Sequence, residues 1–210
     1  MRVYAEYLKK ENVRIKTLLQ FGDGTDLIGS AVLANPGSAA PISDNFDKTI
    51  IAKFYEKTHN IEMKLCNWCL FDRDPTMKWL EKIFNGWYVN KTIELNGIIQ
   101  LFNCFYDMDP NRENAIMQFS CKSKYVFNES QYFLNKPVFF GWGDLNKNAE
   151  LKEFARKIFV DYNCKDNPVY RDGFDNNKFY HPKYIHFSYK RDEEVKRILE
   201  EFHKLVVDTQ

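Results

Sequence analysis

The chain lacks any long hydrophobic run. No stretch of its 210 residues approaches the roughly 20 apolar positions that a membrane-crossing helix needs, so no membrane partner is expected. It also lacks a surplus of charge: 30 Lys and Arg stand against 29 Asp and Glu, so any basic surface for a nucleic acid must be local. The segment Met1-Arg2-Val3-Tyr4-Ala5-Glu6 has no apolar leader core, and the five cysteines are scattered and odd in number. Free thiols in a reducing cytoplasm are expected. A second C-x-x-C is missing beside Cys66-Asn67-Trp68-Cys69, Cys104, Cys121 and Cys164 stand apart, and His59 is a weak fourth ligand. The expectation is therefore buried apolar cysteines and no metal.

Three catalytic signatures are absent as well. No Gly-x-Gly-x-x-Gly follows the first buried strand, there is no P-loop, and there is no nucleophile elbow. These absences argue against a nucleotide or nucleoside enzyme and against a Ser or Cys hydrolase. No repeat or low-complexity linker divides the chain. One domain over residues 1–210 is expected, with an N-terminal element at 1–27, a core at 28–190 and a C-terminal helix at 191–210.

What is present is an alternation of strands and helices. The first 27 residues read as a hairpin or similar element ending at Gly22-Asp23-Gly24. Residues 28–34 form an apolar run without alternation, as a buried parallel strand does. Asp44 is a candidate cap for a helix through Ile50, Ile51, Phe54 and Tyr55. Residues 63–70 suggest an extra strand, and Pro75 opens a helix through Met77, Leu80, Ile83 and Phe84. Residues 97–103 and 137–141 are two more buried strands, and a short last strand is expected before His181. Helices are read through Leu151 to Phe159 and from about Arg191. The pattern predicts a three-layer α/β/α fold around a mostly parallel four-stranded sheet.

The strand ends carry the chemistry. Asn35-Pro36-Gly37 follows the first buried strand, Asn103 ends the second, and His181-Pro182 follows the last. In open α/β sheets ligands bind at this carboxyl edge. With right-handed crossovers, Asn35, Asn103 and His181 converge there. A strand-end cap is the plain alternative for Asn103. Aromatic residues make up 16% of the chain, with 18 Phe and 12 Tyr, which suits a Phe-rich core and leaves some rings for a base-binding surface.

Four elements in order, Asn35-Pro36-Gly37, Asn103, Trp142-Gly143 and His181-Pro182, resemble the uracil-DNA glycosylase superfamily over residues 28 to 190. The resemblance is closer to a family on bacterial mobile elements, which includes atypical uracil-DNA glycosylases of staphylococcal cassette chromosomes. Its motifs stand here as Asn35-Pro36-Gly37-Ser38-Ala39, Asp47-Lys48-Thr49, Trp142-Gly143 and His181-Pro182-Lys183-Tyr184.

The resemblance implies hydrolysis of the N-glycosidic bond of uracil in single- or double-stranded DNA, with no cofactor. Asn35 would position water, His181 would stabilise the departing base, and Asn103 would read it. Phe46 would stack on the base unless it serves the core. Gly37 stands where other members place a Tyr against C5, which leaves exclusion of thymine open. Ser38, Lys183, Lys190 and Arg191 would contact DNA, with Tyr184 or Ile185 as the wedge that follows His-Pro. The same segment also reads as a plain edge strand, Tyr184 and His186 alternating with Ile185 and Phe187. A small acidic DNA-mimic inhibitor is an expected partner and a monomer the expected state. A non-catalytic nucleic-acid-binding or decoy protein on the same fold is the competing reading.

Overall fold

The computed structural model describes residues 1–109, 111–163, 167–168, 170–171, 173–175 and 177–209. Its centre is one seven-stranded mixed sheet. In chain order the strands are β1 (Arg2–Leu8), β2 (Val13–Phe21), β3 (Leu27–Leu33), β4 (Pro41–Ser43), β5 (Trp68–Phe71), β6 (Gly97–Asn103) and β7 (Val138–Phe140). Across the sheet they run β4-β5-β1-β2-β6-β3-β7.

Only β6, β3 and β7 form the parallel block. The N-terminal hairpin β1–β2 adds antiparallel to β6, and β5 and β4 extend the sheet beyond β1. This corrects the expectation of four mostly parallel strands. The N-terminal element is not an appendage, because Thr17 to Phe21 pair with Leu101 to Gly97 and share their hydrogen bonds.

Helices cover both faces. They are α1 (Thr49–His59), α2 (Pro75–Phe84), α3 (Arg112–Gln118), α4 (Ala149–Asn163), α5 (Pro182–Ser188) and α6 (Glu193–Asp208). Adjacent residues of β7 show the division. Phe140 meets Phe159 and Tyr162 of α4, while Phe139 meets Phe202 of α6. On the α4 side, Ile51, Phe54 and Tyr55 of α1 pack on Tyr4, Leu18 and Ile98. On the other side Phe84 of α2 meets Phe202 edge-on. A parallel block covered on both faces explains why all seven residues of β3 and of β6 are buried.

Local signals account for most element starts. Asp74 caps α2 by accepting from the Met77 N–H, with Pro75 at the first position. Asp192 does the same for α6. Asp44 does not cap α1, which begins at Thr49; there Asp47 accepts from the Thr49 N–H and hydroxyl. The Asp47-Lys48-Thr49 motif thus has a structural role at a helix entrance. Between β7 and His181 the described residues contain no strand, and residues 182–188 are helical rather than an edge strand. Among the described cysteines only Cys104 is fully buried, while Cys66 and Cys121 are exposed. Cys164 lies outside the described residues. Among the described residues no helix is long and apolar enough to cross a membrane.

Candidate functional site

Because β3, β6 and β7 are parallel, their carboxyl ends share one edge. A cleft of about 980 Å³ opens there. Asn35, Gly37 and Ser38 from the loop after β3, Asn103 from the end of β6, and His181, Lys183 and Tyr184 from the start of α5 all line it. Seven of the sequence-derived positions are therefore brought together.

Asn103 is the last residue of β6 and is 1% exposed, yet neither Oδ1 nor Nδ2 has a hydrogen-bond partner. An amide buried in that state costs about 1–3 kcal/mol per unpaired group, and a strand-end cap would have paired it. Asn35 is also buried, but it is anchored. Its Nδ2 donates to Pro36 O at 2.9 Å and to Asp109 O at 3.1 Å. Two carbonyl acceptors fix which end of the amide is nitrogen. Oδ1 is then the atom left to accept a hydrogen bond.

His181 is the N-cap of α5. Its Nδ1 accepts from the Lys183 N–H at 3.2 Å, which leaves the proton on Nε2. Burial, followed by the charges of Arg112 and Lys183, brings its imidazole down from 6.5 to about 4. The ring is neutral near pH 7 and presents an N–H donor. Its place comes from the loop after β7 rather than from a strand of its own. Gly143 donates its N–H to Phe179 O at 2.7 Å, and a Cβ there would lie 3.3 Å from the His181 Cβ. Gly143 has φ +71°, and the same Cβ would meet Arg112 Nη2 at 2.9 Å. Arg112 in turn donates to the carbonyls of Trp142 and Asp144.

Several sequence-derived residues lie elsewhere. Phe46 stacks on Tyr4 with centroids 5.5 Å apart, in the cluster under α1. The chain runs there from β4 into α1, so Phe46 falls on the sheet face away from the cleft. It cannot stack on a base in the cleft. Ile185 is 0% exposed and packs in the main core, so it is not a wedge. In the helix, positions 182 and 185 turn inward together, and Tyr184 (49% exposed) and Phe187 (60%) face out. Lys190 and Arg191 are exposed past the end of α5 and do not line the cleft.

The cleft also contains residues that sequence reasoning missed: Arg14, Asp74, Trp79, Asp109, Arg112 and Phe187. Asp74 carried a readable signal, an Asp before the Pro that opens a helix. Gly37 belongs with it, since a Cβ there would sit 2.9 Å from Asp74 Oδ2. Trp79 stacks on His186 and meets Phe187, which builds an aromatic rim. Arg14 and Arg112 had no local signal, because strand pairing and loop docking bring them in. Among the described residues no His, Cys, Asp or Glu cluster could hold a metal.

Chemically, the cleft offers a neutral imidazole donor, an acceptor oxygen on a fixed amide, and an unpartnered amide at its floor. No protein-family model, curated protein or solved structure matches the chain.

Proposed function

We propose that this protein is a monofunctional uracil-DNA glycosylase of the superfamily's three-layer type, acting on DNA in the cytoplasm. The observation that carries the reading is the orphaned Asn103 amide at the floor of a cleft flanked by Asn35 and His181. An amide with a free donor and a free acceptor matches the N3–H and O4 of uracil. Cytosine presents the reverse order and is refused as long as the amide keeps one orientation.

In the reaction the C1′–N1 bond breaks and its electrons pass to the base. Nε2–H of His181 donates to O2, where negative charge gathers, as donors do in an oxyanion hole. Asn35 Oδ1 accepts from a water whose oxygen bonds to C1′, and that water's proton leaves to solvent. An amide is not a base, so attack follows bond breaking and turnover is slower than with a carboxylate. Lys183 and Ser38 supply phosphate contacts at the cleft, with Lys190 and Arg191 further out. Tyr184 is the remaining wedge candidate of the two read from sequence. A small acidic DNA-mimic protein would occupy the same groove and compete with DNA.

The test is base release from an oligonucleotide with one uracil, single- and double-stranded, with alkali to reveal abasic sites. Wild type is run beside His181→Ala and Asn35→Ala. Release that falls by about 100-fold or more in both variants is expected, the scale of removing one such donor. Intact DNA binding without any release in wild type would replace this reading with the non-catalytic binder.

A further inference from the structure

The positive charge of this chain is local. The whole sequence carries a formal charge of +1. Residues 75–91 and 182–192, which hold α2, the short turn Trp87–Val89 and α5, contain six cations against two acids, Glu81 and Asp192. The cations are Lys78, Lys82, Lys91, Lys183, Lys190 and Arg191. Asp192 is already engaged, because it caps α6 and accepts from the Tyr184 hydroxyl. Among the described residues none of the six cations forms an ion pair. Two of them lie over rings instead, Lys82 at 4.2 Å from the Trp87 centroid and Lys190 at 5.7 Å from that of Tyr189.

The seam between α2 and α5 also carries a continuous run of rings. Phe187 and Trp79 stand at the rim of the cleft. From there Trp79 stacks on His186 at 5.3 Å, and a hydrogen bond of 3.1 Å joins His186 Nδ1 to the Tyr88 hydroxyl. Tyr88 and Trp87 both meet Tyr189, at 4.8 and 5.7 Å. Burial explains Tyr88, which is 5% exposed, but not the rings at the two ends, Phe187 at 60% and Trp87 at 40%. Large rings left in water among unpaired cations are the composition of a surface that takes bases and phosphates together. A protein partner would also use the rings, but six unpaired cations select a polyanion. The run starts at the cleft, so a strand entering the cleft continues onto it.

A duplex fits this surface poorly, because its bases are stacked on one another and offer no face to a ring. Tyr184, the side chain that would enter a duplex, is stacked on Tyr180 at 4.8 Å and tied to Asp192 at 3.1 Å. We propose that the seam between α2 and α5 is a second site, outside the cleft, that stacks unpaired bases of single-stranded DNA beside the target nucleotide. One base rests on Phe187 and another on Trp87, with Lys82, Lys183 and Lys190 on the phosphates. Every base has a face to stack, so the platform is indifferent to sequence. The proposal rests on the glycosylase reading for the event in the cleft, while the binding of the strand does not need it.

The experiment measures fluorescence anisotropy of a uracil-free oligonucleotide of about 12 nucleotides, single-stranded and as a duplex. Wild type is run beside Phe187→Ala, Trp87→Ala, Trp87→Phe and Lys82→Gln, each checked for a cooperative thermal transition. Wild type should bind the single strand about 10-fold or more tighter than the duplex. Each alanine variant should lose about 5- to 100-fold on the single strand, the scale of one stacked base, and Trp87→Phe should keep most of the affinity. The salt slope should stay unchanged in the ring variants, which remove no phosphate contact, and fall by about 0.7 in Lys82→Gln. Unchanged single-strand affinity in both alanine variants overturns the proposal and gives the rings to a protein partner. A duplex bound as tightly as the single strand overturns it too.

Uracil release from the same strand with one uracil is scored separately. Ring-dependent binding without release leaves the platform standing and removes the glycosylase. Release with an unaltered KM in Phe187→Ala and Trp87→Ala keeps the glycosylase and removes the platform. Should Trp87→Ala not fold, Phe187→Ala, at the more exposed ring, decides alone.

Discussion

Lowering the pH should cost this protein stability before it costs activity, and His181 is the reason. Its imidazole is brought down to about 4 by burial and by the charges of Arg112 and Lys183. At about pH 5 the native ring is then ~90% neutral, while the unfolded ring, with an ordinary value near 6.5, is almost fully protonated. The sign follows from proton binding: between about 6.5 and 4 the unfolded chain holds more protons, so stability rises with pH and falls as acid is added. Between about pH 7.5 and pH 5 the loss is about 2 kcal/mol from this one group.

The variant that isolates the effect is His181→Asn, which still offers an N-cap acceptor to Lys183 N–H but does not titrate. His59 is also brought down to about 4 by burial, but it is present in both proteins and cancels. Urea unfolding at the two pH values, followed by tryptophan fluorescence, should show wild type losing about 2 kcal/mol more than the variant. Base release by wild type should persist to about pH 5 and halve near 4. Equal losses in the two proteins, or half-loss of activity near the ordinary histidine value, would refute the buried neutral imidazole.

Asn103→Val should raise stability by about 1–3 kcal/mol, since it removes two unpaired amide atoms from a buried strand end, while it abolishes uracil binding. Urea midpoints and calorimetry with free uracil check the two halves separately. Gly143→Ala should destabilise the fold by about 1–2 kcal/mol through its left-handed backbone. It should also slow base release, because the added Cβ displaces Arg112 and crowds His181. A thermal melt run beside the release assay reads both effects.

Much of the candidate site was legible because it depends on local rules. A run of small and apolar residues that stops at Asn35-Pro36-Gly37 is a buried strand with a polar end, whatever lies beside it. The same holds for Gly97 to Asn103, where reading and structure agree on every residue. Pro75 and Pro182 both stand at the first turn of a helix. The second was misread, because apolar Ile185 and Phe187 at every other position imitate a strand. Two residues settle it as a helix: His181 caps the turn, and Ile185 alone of the pair is buried.

Phe46 shows the limit of spacing along the chain. Its distance from Asn35 suited base stacking, but the intervening β4 joins the outer edge of the sheet and carries the ring to the opposite face. Arg14 shows the converse. Nothing near it in the chain marks it, and it reaches the cleft only because the β1–β2 hairpin chose β6 as its partner.

The sequence by itself determined the buried strands β3, β6 and β7, the helix start at Pro75, and Asn35 and Asn103 at strand ends, since hydrophobic period, capping and turn chemistry act over a few residues. Tertiary structure alone decided that the sheet has seven strands, that His181 is seated by Gly143 and Arg112, and that Arg14 stands beside an unpartnered Asn103. Those outcomes depend on which distant backbone groups pair and which loops dock. Such contacts are selected by burying the whole chain at once, and no short window of residues records them.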